Sequence, residues 1–261
     1  MLPYLHLWSF NLPTFGLMLW LALVVAAVIM DRNFRRAGVT ADAVAMVAIA
    51  AVLGIVGAKL WHVLDTPMEF QEQGWRVLWD TAGFAWFGGL MFGLGSLLFM
   101  GWWTRVGMLK TLDLAAPAAA VGYGIGRIGC LLSGDGCYGI ATNLPWGMAF
   151  PDGIEPTPFG VRVHPTPLYE FACALVIGLW LWWRGSKRRG PGAILGEYLL
   201  LSGVARFLVE FLRRNPKVLW NLSNAQLASL LSVLAGLVLI LWAATHSAPE
   251  PTAPAVEKTA A

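Results

Sequence analysis

The sequence predicts an all-α integral membrane protein with about seven transmembrane helices and a long outer, periplasmic loop. Of its 261 residues, 57% are hydrophobic and only 13% are charged, whereas about 25% of the residues in a soluble domain are charged. Two runs without charge, 81–104 and 218–245, are longer than the roughly 20 apolar residues that cross a bilayer. Composition and run length together exclude an ordinary soluble domain.

Seven segments are predicted to span the membrane, although the fourth and sixth contain charged side chains. No Lys or Arg precedes the first segment, and the first of them is Arg32. Because a cleaved signal peptide has a basic stretch ahead of its apolar core, we expect this segment to be retained. The segments lie near residues 12–30, 43–63, 82–103, 112–132, 167–184, 192–212 and 222–244.

Basic residues at the segment ends predict the orientation of the chain. They cluster after the first, third and fifth segments, and loops of this kind face the cytoplasm. The N-terminus is therefore expected outside and the C-terminus in the cytoplasm. Arg213, Arg214 and Lys217 oppose this assignment, because they follow the sixth segment on the outer side. The supporting residues are Arg32, Arg35, Arg36, Arg105, Lys110, Arg184, Lys187, Arg188 and Arg189.

Two segments are predicted to lie outside the spanning helices. Residues 133–166 are rich in Pro and Gly, which break helices, and connections of this length are uncommon unless they are functional. We expect this outer loop to cap an outward-facing site. Residues 1–245 then form one membrane domain, and the Pro/Ala-rich residues 246–261 form a disordered cytoplasmic tail.

The three cysteines and the net charge give little indication of a cofactor or of a soluble partner. Cys130, Cys137 and Cys173 show neither CxxC spacing nor a neighbouring His cluster, so neither a disulfide framework nor a zinc site is indicated. The spacing leaves a Cys130–Cys137 bridge open. The net charge of +3 is ordinary for a membrane protein with basic loops. We therefore predict no metal, no cofactor and no nucleic-acid partner.

The sixth segment contains "RFLVEFLRR", in which Arg206, Glu210 and Arg213 are spaced i, i+4 and i+7. This spacing places them on one helix face, with two arginines beside one carboxylate. The surplus positive charge is suited to an anion, and the planar guanidinium binds two phosphate oxygens at once. The alternative, a structural Arg–Glu pair that holds helices together, is equally consistent with this segment alone.

Arg127 lies within "GYGIGRIGCLLSGDGCYG", on a different predicted helix. A charge at membrane depth costs on the order of 3 kcal/mol on insertion scales, so an arginine there needs a partner. The surrounding glycines permit close approach of a backbone or a ligand. If the two helices meet, Arg127 and Arg206 converge in the outer half of the membrane, where a lipid phosphate is the most available anion.

Other polar residues are weaker candidates for binding a ligand. Asp135 is expected either to bind polar groups of a ligand or to stabilise a turn. "VHPTPLYEF" places His164, Tyr169 and Glu170 at the entry to the fifth segment, where a histidine is often only a hydrogen-bonding residue. The pair Gly88–Gly89 is expected to mark a break or a close helix contact.

These motifs together resemble the bacterial prolipoprotein diacylglyceryl transferase family. The likeness runs from "LPTFGLMLWLAL" to "RFLVEFLRRNP" and includes "GRIGC", "SGDGCYG", "LPWGMAFP" and "HPTPLYE" in order. The resemblance implies an inner-membrane enzyme with its N-terminus outside. It implies transfer of a diacylglyceryl group from phosphatidylglycerol to the lipobox cysteine thiol of an exported prolipoprotein, with release of glycerol phosphate.

The resemblance also implies roles for individual residues. Arg127 and Arg206 are the expected catalytic residues, with Arg127 also binding the lipid headgroup. The remaining residues are expected to bind substrate. They are Asp135, His164, Tyr169, Glu170, Glu210, Arg213, Gly88 and Gly89.

Several departures from the family pattern leave alternatives open. Phe87 stands where many members have a His proposed as a base, and Cys130 stands where many have Asn. Asp135, Glu210 and His164 are then the candidate bases. A paralogue with the same lipid donor and another acceptor is one alternative. A non-enzymatic lipid-binding membrane protein or a transporter is the other.

Overall fold

The computed structural model describes residues 2–7, 10–79, 83–185 and 190–246, so residues 247–261 of the predicted tail lie outside the described residues. The described chain is mainly helical, with two short antiparallel hairpins that the sequence did not predict. The helices are α1 (Thr14–Arg36), α2 (Ala43–Asp65), α3 (Pro67–Gln73), α4 (Trp86–Trp103), α5 (Met108–Ser133), α6 (Thr166–Arg184), α7 (Ala193–Val209) and α8 (Asn224–Thr245). The strands are β1 (Tyr4–Leu7), β2 (Phe10–Pro13), β3 (Lys217–Leu219) and β4 (Leu222–Ser223).

Six helices within the described ranges are long and apolar enough to cross a membrane, which confirms a helical membrane protein. They are α1, α2, α4, α5, α6 and α8. The predicted sixth segment forms α7, which has only 17 residues. At a rise of 1.5 Å per residue α7 spans about 26 Å, slightly less than the roughly 30 Å of the hydrocarbon core.

Two local differences from the predicted segments have simple physical causes. Helix α1 continues to Arg36, so that Arg35 and Arg36 lie in its last turn, where positive charge complements the helix dipole. Residues 67–79 form α3 and a 3₁₀ helix where only a connection was expected. Pro67 suits a first helical turn because that position needs no N–H donor.

Glycines let the helices pack backbone against backbone. A Cβ on Gly88 of α4 would overlap the Gly57 carbonyl oxygen of α2. A Cβ on Gly236 of α8 would lie 2.6 Å from the Leu200 amide nitrogen of α7. No other residue type permits these approaches, which is the usual role of small residues between transmembrane helices. The expected close helix contact at Gly88 is therefore confirmed.

The connection between α5 and α6 packs on itself. Tyr138, Phe150 and Val163 form a small buried cluster, with the rings of Tyr138 and Phe150 stacked 4.9 Å apart. Val163 pairs with Met148 through backbone hydrogen bonds in both directions. Gly139 donates to the His164 carbonyl at 2.8 Å, which brings the two ends of the loop together. The loop thereby fixes the segment of chain that leads into the first residues of α6.

Candidate active site

Glu170 lies one turn into α6 and is the centre of the site. Its carboxylate is buried and takes charged partners from two other helices. Arg127 of α5 approaches one oxygen, with Nε 2.6 Å from Oε2, and Arg206 of α7 pairs with the other. Tyr123, one helical turn before Arg127, donates its hydroxyl to Oε2 at 3.2 Å. The predicted convergence of Arg127 and Arg206 is what the structure shows, and it occurs on Glu170.

Glu210 is the second carboxylate of the site and is also buried. Arg206 lies 2.8 Å from its Oε2, and Arg213 lies 3.8 Å from the same atom. Ser223 and Asn215 donate to its Oε1 at 2.7 and 2.5 Å. These neutral donors fix Glu210, so that it holds NH2 of Arg206 while Glu170 holds NH1.

The three residues of "RFLVEFLRR" meet by a route that differs from the prediction. A continuous helix was expected to carry all of them, but α7 ends at Val209. Residues Glu210–Leu212 form a 3₁₀ turn, and Arg213 has an extended backbone. The turn still directs Arg213 inward, with NH1 3.7 Å from Glu170 Oε1.

We call Arg127, Arg206, Arg213, Glu170 and Glu210 the arginine cluster. It contains three guanidinium groups and two carboxylates, so one positive charge is in excess. Arg127 and Arg206 remain 20% and 22% exposed, and they are therefore accessible to a ligand. Nε and NH1 of Arg213 are buried and form no hydrogen bond with any of the described residues. Unused donors and excess charge both suit an anion.

A cavity of about 490 Å³ adjoins the arginine cluster. Arg127, Glu170 and Arg206 are its charged lining residues, and α7 and α8 add neutral polar ones. Most of its wall consists of apolar groups from α4, α5, α6, α7 and α8. Trp86 and Phe87 lie at its edge and are 70% and 64% exposed. A charged end beside an apolar wall matches an amphiphile with an anionic headgroup.

His164 and Tyr169 lie at the start of α6 and do not line the cavity. Their side chains contact each other, with His164 Nδ1 3.2 Å from the Tyr169 hydroxyl. That hydroxyl also accepts from Trp146 Nε1 at 2.8 Å.

Asp135 accepts from the Cys137 amide at 3.1 Å. This contact stabilises a turn, which is the alternative to ligand binding that the sequence left open for Asp135.

The glycines predicted to bind substrate have packing roles in the structure. Gly88 and Gly89 face α2, where a Cβ on Gly88 would overlap the Gly57 oxygen and one on Gly89 would lie 3.5 Å from the Gly54 oxygen. Gly124 contacts α6 in the same way, because a Cβ added there would lie 3.2 Å from Ala174 Cβ. The lack of a Cβ at these glycines lets neighbouring helices approach closely. A contact of Gly88 or Gly89 with substrate stays a prediction.

Cys130, Cys137 and Asp135 lie together on the far side of Arg127. Their sulfur and carboxylate atoms lie within 4.8 Å of one another. Among the described residues they are the one group of His, Cys, Asp or Glu side chains close enough to hold a metal ion. Arg127 NH1 lies 4.0 Å from the Cys130 sulfur and 3.8 Å from the Cys137 sulfur. A fixed positive charge beside both sulfurs disfavours a cation. The sequence left only a bridge between the cysteines open and did not predict their contact with Arg127.

Comparison with known proteins places the chain among bacterial membrane transferases. The family model described as "Prolipoprotein diacylglyceryl transferase" matches residues 3–242. The phosphatidylglycerol–prolipoprotein diacylglyceryl transferase of Clostridium tetani is 30% identical over 235 residues, covering 89% of this chain and 93% of the relative. The similarly named protein of Chromohalobacter salexigens is 34% identical over 247 residues, covering 89% and 88%. That of Aliivibrio salmonicida is 32% identical over 246 residues, covering 88% and 82%.

Proposed function

The chain belongs to the prolipoprotein diacylglyceryl transferase family, and we propose that it transfers the diacylglyceryl group of phosphatidylglycerol to a prolipoprotein. The acceptor is the thiol of the lipobox cysteine, and glycerol phosphate leaves. The observation that carries this proposal is the arginine cluster, with its excess positive charge beside an apolar cavity. One end of the cavity suits the phosphate, and its wall suits the diacylglyceryl part.

We propose that Arg127 and Arg206 bind the phosphodiester. Both line the cavity and are held by carboxylates, Arg127 by Glu170 and Arg206 by both Glu170 and Glu210. This pairing orients the guanidinium planes before a ligand arrives, so that little side-chain entropy is lost on binding. Glu170 and Glu210 act as positioning residues because they hold the two arginines, and Arg213 acts through its contacts with both carboxylates.

The chemistry proposed for this site is a displacement at carbon. The lipobox sulfur forms a bond to the glycerol carbon that carries the phosphate, and the carbon–oxygen bond to the phosphate breaks. The bonding electron pair leaves with that oxygen, so negative charge grows on the departing glycerol phosphate. Arg127 and Arg206 stabilise that charge, and such preorganised electrostatic stabilisation is often the largest contribution to catalysis.

The replacement of histidine by Phe87 is compatible with this reaction. A free thiol has a pKa of about 8.5, so a few per cent of it is thiolate at neutral pH, and thiolates are strong nucleophiles. Leaving-group stabilisation then matters more than proton removal. Phe87 lines the cavity edge, and there it contributes apolar surface for the lipid.

We propose that His164, Tyr169 and Asp135 contact the acceptor peptide or the headgroup rim. His164 and Tyr169 at the start of α6 form one hydrogen-bonded group with Trp146 of the preceding loop, and Tyr169 directly precedes Glu170. Asp135 lies next to Cys137, which contacts Arg127. The contacts of these polar groups with the first turn of α6 and with the neighbours of Arg127 support this proposal.

We also propose the arrangement of the protein in the membrane. Helix α7, extended by the 3₁₀ turn Glu210–Leu212, makes a seventh crossing. The N-terminus then lies outside and the C-terminus lies in the cytoplasm of a bacterial inner membrane. The connection between α5 and α6 lies on the outer side, where it caps the site, and residues 246–261 form a cytoplasmic tail.

A transfer assay with the purified full-length protein tests the proposal. The protein in detergent is supplied with phosphatidylglycerol and a lipobox peptide, and the peptide mass and released glycerol phosphate are measured. We expect a diacylglyceryl adduct on the cysteine peptide and none on the matching serine peptide. Glycerol phosphate release without an adduct would favour another acceptor. Lipid binding without release would favour a non-enzymatic lipid-binding protein.

A further inference from the structure

A pair of thiols lies directly behind Arg127 and has no role in the transfer step above. Cys130 is in the last turn of α5, and Cys137 follows a tight turn. Gly134 and Gly136 form that turn with φ of +61° and +80°, conformations that glycine adopts without strain. The turn brings Cys137 back to Cys130, so that the two sulfurs lie within 4.8 Å of each other.

Arg127 connects these thiols to the arginine cluster. Its NH1 contacts both sulfurs, at 4.0 Å for Cys130 and 3.8 Å for Cys137, while its Nε lies 2.6 Å from Glu170 Oε2. One guanidinium therefore lies between the thiol pair and the buried carboxylate. A change in charge at the sulfurs acts directly on a residue that faces the cavity.

The two thiols differ in the way that a disulfide exchange requires. Cys137 is half-buried and Cys130 is buried. A hydrogen bond with the Cys130 thiol lowers the pKa of Cys137 to about 7, against the opposing effects of burial and Asp135. The lowered pKa favours the thiolate form of Cys137, and the thiolate is the form that attacks a disulfide. Cys137 suits the attacking position and Cys130 the resolving one.

We propose that Cys130 and Cys137 are a redox-active pair that closes to an intramolecular disulfide and thereby releases Arg127 to bind an anion. The Cys137 thiolate attacks a small disulfide such as oxidised glutathione and expels one thiolate. Cys130 loses its proton to solvent and attacks the Cys137 sulfur, expelling the second thiolate. Two protein thiols are oxidised, and one disulfide is reduced to two thiols.

The consequence for Arg127 is electrostatic. In the reduced pair, the Cys137 thiolate is an anionic acceptor 3.8 Å from Arg127 NH1. In the disulfide both sulfurs are neutral, so this competitor for the guanidinium is gone. Removing one charge at this distance in a partly screened site is expected to tighten binding of a phosphate headgroup about three- to tenfold. This consequence rests on the proposed function, whereas closure of the disulfide does not.

The first experiment detects closure without any activity readout. Full-length protein in detergent is treated with oxidised glutathione, blocked with N-ethylmaleimide, and digested with trypsin. Cleavage after Arg127 and Arg162 releases residues 128–162, which contain Cys130 and Cys137, while Cys173 falls in another peptide and serves as the labelling control. We expect the peptide 128–162 to be unlabelled and two hydrogens lighter, and to carry two labels after reduction.

Three results would overturn the redox pair. The first is a peptide 128–162 that carries two labels after oxidation, and the second is a stable glutathione adduct on Cys137 without closure. The third is protection of both thiols from labelling by zinc, with no loss of two hydrogens from the peptide mass. The matched variants are Cys130→Ser and Cys137→Ser, each of which should leave the remaining thiol of the peptide open to labelling or glutathione addition. A peptide that still becomes two hydrogens lighter in either variant would also contradict the pairing.

The second experiment measures binding of a short-chain phosphatidylglycerol to the oxidised and reduced protein. We expect the oxidised protein to bind about three- to tenfold more tightly, and Cys137→Ser to bind like the oxidised protein under both conditions. Equal affinity in the two states would refute the effect on Arg127. Absence of phosphatidylglycerol binding in both states would refute the proposed function and leave the disulfide result standing.

Discussion

Helix α6 carries a charged group at each end, and the two groups differ in stoichiometry. Near its start, Glu170 belongs to the arginine cluster, in which three arginines share two carboxylates. At its last residue, Arg184 pairs with Glu197 of α7, with Nε 3.1 Å from both oxygens and NH2 2.5 Å from one. Trp180 donates to the same carboxylate at 3.2 Å.

The difference separates a structural ion pair from a proposed binding site. Arg184 and Glu197 carry opposite charges and pair through Nε and NH2 of the guanidinium, so the pair has no net charge to offer a ligand. The arginine cluster has one positive charge in excess and two donors, Nε and NH1 of Arg213, without a hydrogen bond among the described residues, and it adjoins a cavity. A charge inside a membrane is therefore informative mainly when its partners do not balance it. The following variants test this difference, from the largest expected effect to the smallest.

Arg206→Ala should have the largest effect on activity. The change removes the guanidinium that pairs with Glu170 and Glu210 and that lines the cavity. Loss of one preorganised donor to developing charge typically lowers turnover about 10²–10³-fold. The lipobox-peptide transfer assay measures the loss, with membrane insertion and elution volume as controls. Activity within about tenfold of the unaltered protein would remove the arginine cluster from the catalytic mechanism.

Glu170→Gln should separate turnover from binding. The amide keeps the shape but loses the charge that orients Arg127 and Arg206, and hydrogen bonds to charged groups contribute about 1.5–3 kcal/mol. We expect kcat to fall about 10- to 100-fold, and KM for phosphatidylglycerol to fall because the excess positive charge increases. Steady-state kinetics with varied lipid measures both constants. A raised KM with unchanged kcat would show that Glu170 does not position the arginines.

Arg184→Ala is the matched control at the other end of α6. Removal of one partner leaves Glu197 partly buried without its counter-charge, so we expect a loss of about 1–3 kcal/mol in stability. Thermal unfolding in detergent measures this loss. Activity per folded molecule should stay unchanged, because the pair lies outside the cavity. A fall in activity as large as that of Arg206→Ala would contradict the separation of the two groups.

Phe87→His should have the smallest effect. It restores the residue that many family members have at the edge of the cavity. A dedicated general base would contribute about 10²–10⁴-fold, whereas leaving-group stabilisation by the arginines does not depend on it. We expect the transfer rate to change by less than about tenfold. A gain of about 10²-fold or more would show that proton removal limits this enzyme.

The sequence predicted the fold class and the two principal arginines for physical reasons. Apolar runs and their charged flanks identify membrane helices without any tertiary information. Arg127 and Arg206 were identifiable because a charge at membrane depth demands a partner. The residue pattern marks Glu170 as a polar residue at a helix start, and the resemblance implies that it binds substrate. Its central position was not predictable, because it depends on how α5, α6 and α7 pack.

Other features depended on contacts distant in the sequence. Asn215 and Ser223 fix Glu210 through a hairpin that no periodic pattern marks. The end of α7 at Val209 could not be read from "RFLVEFLRR", which is compatible with a continuous helix. Tyr123 stands one turn before Arg127 in the same glycine-rich stretch, so helical spacing from Arg127 was the signal that could have identified it.

The most direct test of the excess charge is a comparison of two lipids that differ only in the headgroup. Binding of short-chain phosphatidylglycerol and of the matching diacylglycerol, which lacks the phosphate, is measured on the unaltered protein, Arg206→Ala and Arg184→Ala. We predict that the unaltered protein and Arg184→Ala prefer phosphatidylglycerol, and that Arg206→Ala loses this preference. An undiminished preference in Arg206→Ala would contradict the assignment of the arginine cluster as the phosphate site.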